Sequence, residues 1–238
     1  NQKGIRLTAE WRPSDMVTLR SISAYRNISQ TQFDNSVGPN TAGYRPNGLF
    51  SRYSLASSFQ DQFSQELQVV GKVGRLNFTA GAYYFDESGG DDAWAPNTLQ
   101  WNATGTAWTR LPSLLAGAEN PFPDRASIAS ATSYAAYLQL GWNPPIFEDR
   151  VQLTAGARYT HDDRKGRLLK VNGRDDATSF TFKADRLDPA FTLEVQPIDD
   201  VNLYAKWGQA YRAGGANSRS LTFAPFGPET IQTAEIGE

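Results

Sequence analysis

The sequence predicts an all-β chain of one particular kind, a transmembrane antiparallel β-barrel. Three observations predict it. Apolar residues recur at every second position in run after run; several runs reach about 10–13 residues; and the connections between them alternate between short and long. Alternation with period two is the signature of a strand with two unlike faces. A strand that crosses a bilayer at a tilt needs about 9–11 residues, whereas globular strands usually have about 5–6.

About nine strands can be read in order. Ile5, Leu7, Ala9 and Trp11 share one face of the first, with Arg6, Thr8, Glu10 and Arg12 on the other. The alternation of the second changes phase between Leu19 and Ile22, which predicts a bulge there. Leu76, Phe78, Ala80, Ala82 and Tyr84 repeat the pattern against Asn77, Thr79 and Gly81. So do Tyr134, Ala136, Leu138, Leu140 and Trp142, and then Val151, Leu153, Ala155, Ala157 and Tyr159. Leu187, Phe191, Leu193 and Val195 follow, then Val201, Leu203, Ala205 and Trp207. Pro189 falls inside a strand pattern although it has no N–H for a ladder, so a bulge or an extracellular strand end is expected there.

The connections carry the topology. Pro13-Ser14-Asp15, Gly71 to Gly74, Pro144 to Asp149 and Pro197 to Asp200 are short. The segments 29–60, 87–131, 163–179 and 212–229 are longer, and 163–179 has room for strand extensions around Leu168, Leu169 and Val171. Periplasmic turns are short and extracellular loops long in an outer-membrane barrel. A soluble sandwich has no reason to sort its connections by parity, and a loop as long as 87–131 is itself unusual in a compact soluble domain. Trp11 and Trp142 stand directly before short turns, where an interfacial aromatic girdle belongs.

Composition narrows the function. The 23 basic residues nearly balance the 25 acidic ones, which argues against a nucleic-acid surface. Cysteine is absent, which excludes disulfide and thiolate-metal frameworks. No apolar run approaches the ~20 residues of a membrane helix. No catalytic constellation stands out, and no cofactor is implied. The only histidine, His161, lies beside Asp162 and Asp163 at a strand end. This triplet reads as a charged rim rather than a metal site, because no second His or Cys accompanies it. Gly214-Gly215 precedes no helix, so it does not read as a phosphate cradle.

The best candidate for ligand contact is the loop 87–131, with Asp91, Asp92, Trp94, Trp101, Trp108 and Arg110. Indole faces stack on a catechol, a macrocycle or a sugar ring, and Arg110 suits an anionic chelate. The competing reading is that the tryptophans pack the loop onto itself. Arg158, Lys206 and Glu66 fall on the polar faces of their strands and are expected to line the lumen.

Several segments resemble a known family. Ser64-Gln65-Glu66-Leu67-Gln68-Val69, a Gly-containing turn and Phe78-Thr79-Ala80-Gly81-Ala82-Tyr83-Tyr84-Phe85 resemble the mid-barrel hairpin of TonB-dependent receptors. Leu153-Thr154-Ala155-Gly156-Ala157-Arg158-Tyr159-Thr160 does so too. Leu203-Tyr204-Ala205-Lys206-Trp207-Gly208-Gln209-Ala210-Tyr211-Arg212-Ala213-Gly214-Gly215-Ala216-Asn217, then Pro228-Glu229 and Ala234-Glu235-Ile236-Gly237, resembles the family's ordered signature near the end of the barrel.

The resemblance implies a Gram-negative outer-membrane importer with a 22-stranded barrel, an N-terminal plug and a TonB box. It also implies energy from TonB and a scarce ligand, most commonly a ferric siderophore, with vitamin B12 and glycans also represented. Residues 1–238 are then expected to be part of the barrel domain, without the plug and TonB box. The implied partners are outer-membrane lipid, TonB through the absent N-terminal region, and the small-molecule ligand. A passive porin and a soluble β-rich binding or structural protein are the competing readings.

Overall fold

The computed structural model describes residues 1–34, 46–50, 54–94, 99–110, 124–218 and 222–238. Nine long strands form one antiparallel sheet in chain order: β1 Gln2–Ser14, β2 Val17–Asp34, β3 Ser54–Val73, β4 Leu76–Trp94, β5 Arg125–Trp142, β6 Val151–Val171, β7 Ser179–Ile198, β8 Val201–Arg212 and β9 Glu229–Gly237. Each pairs with the next, the pattern of an up-and-down meander. The strand ends joined by 15–16, 74–75, 143–150 and 199–200 lie at one end, and those joined by 35–53, 95–124, 172–178 and 213–228 at the other. The expected sorting by length fails at one place, because β6 takes up most of 163–179 and leaves 172–178 no longer than 143–150.

The strands outrun the sequence reading. β4 continues through Asp91, Asp92 and Trp94, β5 begins at Arg125, and β6 reaches Val171. The loop expected over 87–131 is therefore strand at both ends, and His161, expected at a strand end, is mid-strand. These stretches lose apolar alternation because they rise past the lipid, where neither face needs it. The bulge expected between Leu19 and Ile22 is absent: β1 and β2 stay in register from Gln2↔Ile28 to Trp11↔Leu19. The irregularity lies between Trp11 and Ser14 instead. Serines on the apolar face had disguised the phase. Ser23 donates to Gln65 Oε1, and Gln65 Nε2 donates to Ser21 Oγ at 3.0 Å, so the three satisfy one another.

Cross-strand register sorts the side chains into rows. Four successive rows on one face are almost wholly apolar. One runs Leu67, Ala82, Ala136, Tyr159, Leu187, and the last of the four Val73, Leu76, Trp142, Leu153, Leu193. Leu138 is 47 % exposed, Leu187 60 % and Ile5 71 %, so this sheet shows its apolar face to the surroundings. Such a surface is tolerated when lipid covers it. Trp11 and Trp142 close this band beside the short turns, as expected. Tyr84 and Tyr134, with ring centroids 5.1 Å apart, close it at the other end. Tyr134 and Trp142 are eight residues apart. That is about 27 Å along a strand, or about 20 Å of height at a tilt near 40°, close to the outward apolar band of outer-membrane barrels.

Turns at the short end are tied together. Arg75 donates to both carboxylate oxygens of Asp149, one at 3.0 Å, and so joins the β3–β4 turn to the β5–β6 turn. Arg150 pairs with Asp199 at 2.9 Å and joins that turn to the next. Hydrogen-bonding Arg75 holds the Asp149 carboxyl below its ordinary range.

Candidate functional site

The opposite face of the sheet is polar and internally bonded. At mid-height Glu10, Arg20, Gln68, Gly81, Tyr137, Arg158 and Asp188 form one register row across seven strands. Arg20 Nε donates to Glu10 at 2.7 Å and its Nη1 to Gln68 Oε1 at 3.1 Å. Gln68 Nε2 and Tyr137 Oη both donate to Glu66 Oε1, at 2.9 and 2.6 Å. Arg158 lies over Tyr83 and Tyr137, 5.4 and 5.9 Å from the ring centroids. Gly81 makes this possible: a Cβ there would stand 2.5 Å from the Tyr137 hydroxyl and 2.8 Å from the Leu67 carbonyl. Tyr137 reaches across the gap that Gly81 leaves.

The expectation that Glu66, Arg158 and Lys206 share the polar face holds. Lys206 pairs with Glu235 at 2.7 Å, while its neighbour Trp207 stacks on Phe191 on the apolar face.

Nearer the long-loop end, the segment after β8 folds onto the same face. Tyr211 donates to the buried Asp162, and Arg186 lies 5.3 Å from the Tyr211 ring and donates to Thr230 at 3.1 Å. Gly214 is buried because a side chain there would meet the Phe226 carbonyl at 2.6 Å and the Phe182 ring at 2.9 Å. Phe223, 3 % exposed, meets Phe180 edge-on at 5.4 Å. Beside them lies a cavity of about 420 Å³ whose lining includes Gln60, Glu87, Asp91, Arg164, Phe180 and Phe223. Glu87 accepts from Gln60 at 2.5 Å. Asp91 accepts from Ser127 and pairs with Arg125 at 3.5 Å. Among the described residues, Arg164 Nε is buried without a partner. The chemistry available is an aromatic wall beside a guanidinium with a free N–H.

The residues singled out in the sequence do not form one cluster. Trp101 and Trp108 face each other across the hairpin Leu99–Trp101 and Trp108–Arg110, which extends to Leu49–Phe50. Arg110 pairs with Leu99 in that ladder, and its side chain lies outside the described residues. Trp94 ends β4 opposite Leu55. Asp91 and Asp92 are adjacent in a strand and so point to opposite faces. Alternation also divides the triplet: Asp162 faces the lumen with Tyr211, whereas His161 pairs with Asp185 at 2.9 Å on the apolar side.

Sequence reading missed Tyr137, Arg164, Phe180, Phe223 and the Asp162–Tyr211 contact. One signal was available for Tyr137: a glycine at an inward position of a strand otherwise rich in large residues marks a place where a neighbour crosses. The others depend on how the segment after β8 folds back, which no periodicity encodes.

The family model described as "TonB dependent receptor-like, beta-barrel" matches residues 1–237. A search of curated protein sequences returns no match. Among solved structures, the chain is similar to the ferric yersiniabactin uptake receptor FyuA from Yersinia pestis, with TM-score 0.72, 18% identity, and coverage of 99% of this chain and 32% of that one. It is also similar to BauA, the ferric preacinetobactin receptor from Acinetobacter baumannii, with TM-score 0.65, 17% identity, and 99% and 34% coverage. The copper transporter OprC gives TM-score 0.65, 14% identity, and 99% and 35% coverage. At these identities the likeness is one of fold. The chain spans about a third of the length of each of these proteins.

Proposed function

We propose, because this chain belongs to the TonB-dependent receptor β-barrel family, that it is a portion of the wall of an outer-membrane importer whose transport is driven by TonB. The family comprises transporters and not enzymes. One observation carries the reading beyond family membership. Among the described residues, the sheet has an apolar face without protein cover and an opposite face laced from Glu10 to Arg158, the division a wall between lipid and a polar lumen requires.

In this reading the plug domain and TonB box belong to the rest of the receptor. The mid-height cluster of Glu66, Tyr137 and Arg158 faces that plug. The cargo is a ferric siderophore or similar iron chelate. Solved structures with the same fold include ferric-chelate receptors and a copper transporter, which supports a metal cargo more than any single chelate. Of the six candidate contact residues, Trp101 and Trp108 are paired on one hairpin and supply a stacking surface, with Trp94 at the end of β4. Asp91, held by Ser127 and Arg125, shapes the wall of the inner cavity, and Asp92 and Arg110 are retained as candidate contacts.

Uptake tests this directly. The full-length receptor is expressed in cells lacking their own iron receptors, and iron-55 accumulation from a panel of ferric chelates is measured with and without TonB. Saturable uptake of at least one chelate that disappears without TonB supports the reading. Linear uptake that persists without TonB would replace it with the passive porin.

A further inference from the structure

We infer that the seam between β7 and β8 is a lateral binding site for a peptide that carries an acyl chain. In the import reading, on which this inference rests, the cargo is then an acylated peptidic chelate. The β7–β8 ladder ends at Ala190↔Gly208, while β7 goes on pairing with β6 as far as Ser179↔Arg167. Pro189 pairs with Ala157 and Ala157 with Leu138, halfway between Trp142 and Tyr134 in the apolar band. Four residues of tilted strand, about 10 Å of height, separate that point from the tyrosine row. Among the described residues, no strand pairs with this edge of β7 through the upper half of the band. Neighbouring strands from β2 to β7 keep their ladders over the same height.

A free edge at this depth is unfavourable, because its N–H and C=O groups have no water to bond. Residues two apart on a strand turn those groups toward the same edge. Gln209 marks which residues do so here: its Nε2 reaches the Leu187 carbonyl at 3.5 Å. Asp185 shares that edge, and so does Pro189, which has no N–H. Side chains bridge the seam in place of a ladder. Gln209 approaches Asp188 at 3.5 Å, and Arg186 donates to Thr230 of β9 at 3.1 Å. Arg186 Nε is buried without a partner among the described residues, and the guanidinium's contact with Asp188 is long, at 3.9 Å.

Each side of the seam specifies one part of the occupant. An open strand edge is recognised by an extended peptide, whose amides continue the ladder. On the lumen side, the unpartnered Arg186 N–H calls for an oxygen acceptor such as a carboxylate or hydroxamate. On the lipid side, the outward face holds a hollow of about 950 Å³. Ala155, Ala205 and Ala234 leave it open between Trp142, Phe191 and Trp207. Phe191 is two residues below Pro189 and Trp207 one below Gly208, so the hollow adjoins the end of the ladder. A hollow within the lipid band suits a chain of methylenes, and the edge above it suits amides. A phospholipid lacks the amides, and an unmodified peptide lacks the chain.

The test uses the full-length receptor in phospholipid nanodiscs. Its probe is an N-dodecanoyl hydroxamate peptide with a photoreactive diazirine in the acyl chain. The controls are the same peptide without the chain and the acylated peptide with N-methylated amides. The probe should bind at least tenfold more tightly than either control, and its diazirine should label Phe191, Trp207 or Ala234. Bound probe should slow deuterium exchange at the amides of Lys183, Asp185 and Leu187. Filling the hollow with Ala155→Leu and Ala234→Leu together, or removing the charge with Arg186→Gln, should weaken the probe at least tenfold. Equal binding of the N-methylated control, or full binding by a folded filled variant, overturns the proposal. So does labelling spread evenly around the lipid face, which marks partition into the bilayer alone. Protection of the same amides by receptor dimerisation without probe would assign the edge to a second copy and overturn it too. TonB and uptake take no part in this readout. Loss of TonB-dependent uptake with probe binding intact would sink the import reading alone, and the reverse would sink only this inference.

Discussion

At the scale of single residues, the polar face depends on Gly81 and Tyr137. The tyrosine hydroxyl is one of two donors that hold the Glu66 carboxylate on the lumen wall. Hydrogen bonds to a charged group contribute about 1.5–3 kcal/mol. Tyr137→Phe should therefore destabilise the full-length receptor by roughly 1–2 kcal/mol, read from its urea-unfolding midpoint in detergent. Gly81→Val should cost more, about 2–3 kcal/mol, because the added carbons also collide with the Leu67 carbonyl, which cannot rotate away. If Tyr137→Ala removed most of the added Gly81→Val loss, the clash with the tyrosine ring and hydroxyl would dominate; no rescue would assign it to the Leu67 carbonyl. A second residue-scale expectation concerns acid. The Asp149 carboxyl is held low by its hydrogen bonds from Arg75. A depressed folded value stabilises the fold above the unfolded pKa, about 3.9, and the contribution is lost as pH falls through the folded value. The gap in unfolding midpoint between wild type and Asp149→Asn should be constant from about pH 5 to 8 and close below about pH 4. A gap that ignores pH would mean that Asp149 acts through packing alone.

At the scale of elements, β7 shows how a single residue ends a ladder. Its pairing with β6 runs unbroken from Ser179↔Arg167 to Val195↔Val151, but its pairing with β8 stops at Ala190↔Gly208. The next residue along β7 is Pro189, which has no N–H to continue the ladder. Beyond it β8 leans over the lumen through Tyr211 and Asp162. Alternate amides of 179–188 should thus exchange with deuterium faster than those of 155–165 in β6, which is flanked on both sides. Uniform protection along β7 would show that its free edge is covered. Legibility in the sequence followed the environment. Between Trp142 and Tyr134 lipid requires one apolar face, and every outward residue of β5 was readable from alternation, whereas Ser21 and Ser23 on the same face of β2 hid its phase. Above Tyr134 water meets both faces, alternation fades, and the upper parts of β3 to β6 read as loop. The site was legible in part for the same reason. Glu66 and Arg158 alternate with lipid-facing residues, whereas Arg164 and Phe180 meet Phe223, which lies beyond β8 and carries no periodic signal.

At the scale of the whole molecule, the two faces obey different solvents, and this can be measured. Leu138 and Leu140 point outward from the middle and lower part of the apolar band, and Gln139 between them points to the lumen. An arginine on the lipid face near the midplane costs about 2–4 kcal/mol, while a lumen position has water within reach. Leu138→Arg should therefore reduce the stability of the full-length receptor folded into phospholipid vesicles by about 2–4 kcal/mol. Gln139→Arg, one residue away, should change it by less than about 1 kcal/mol, because surface substitutions away from special contacts are nearly neutral. A soluble sheet gives a different pattern, since an exposed Leu→Arg change in water costs little and Leu138 is 47 % exposed. Equal small effects at both positions would remove lipid as the cover of this face. Equal large effects would mean that the lumen wall is as dry as the bilayer side, with the plug packed against Gln139.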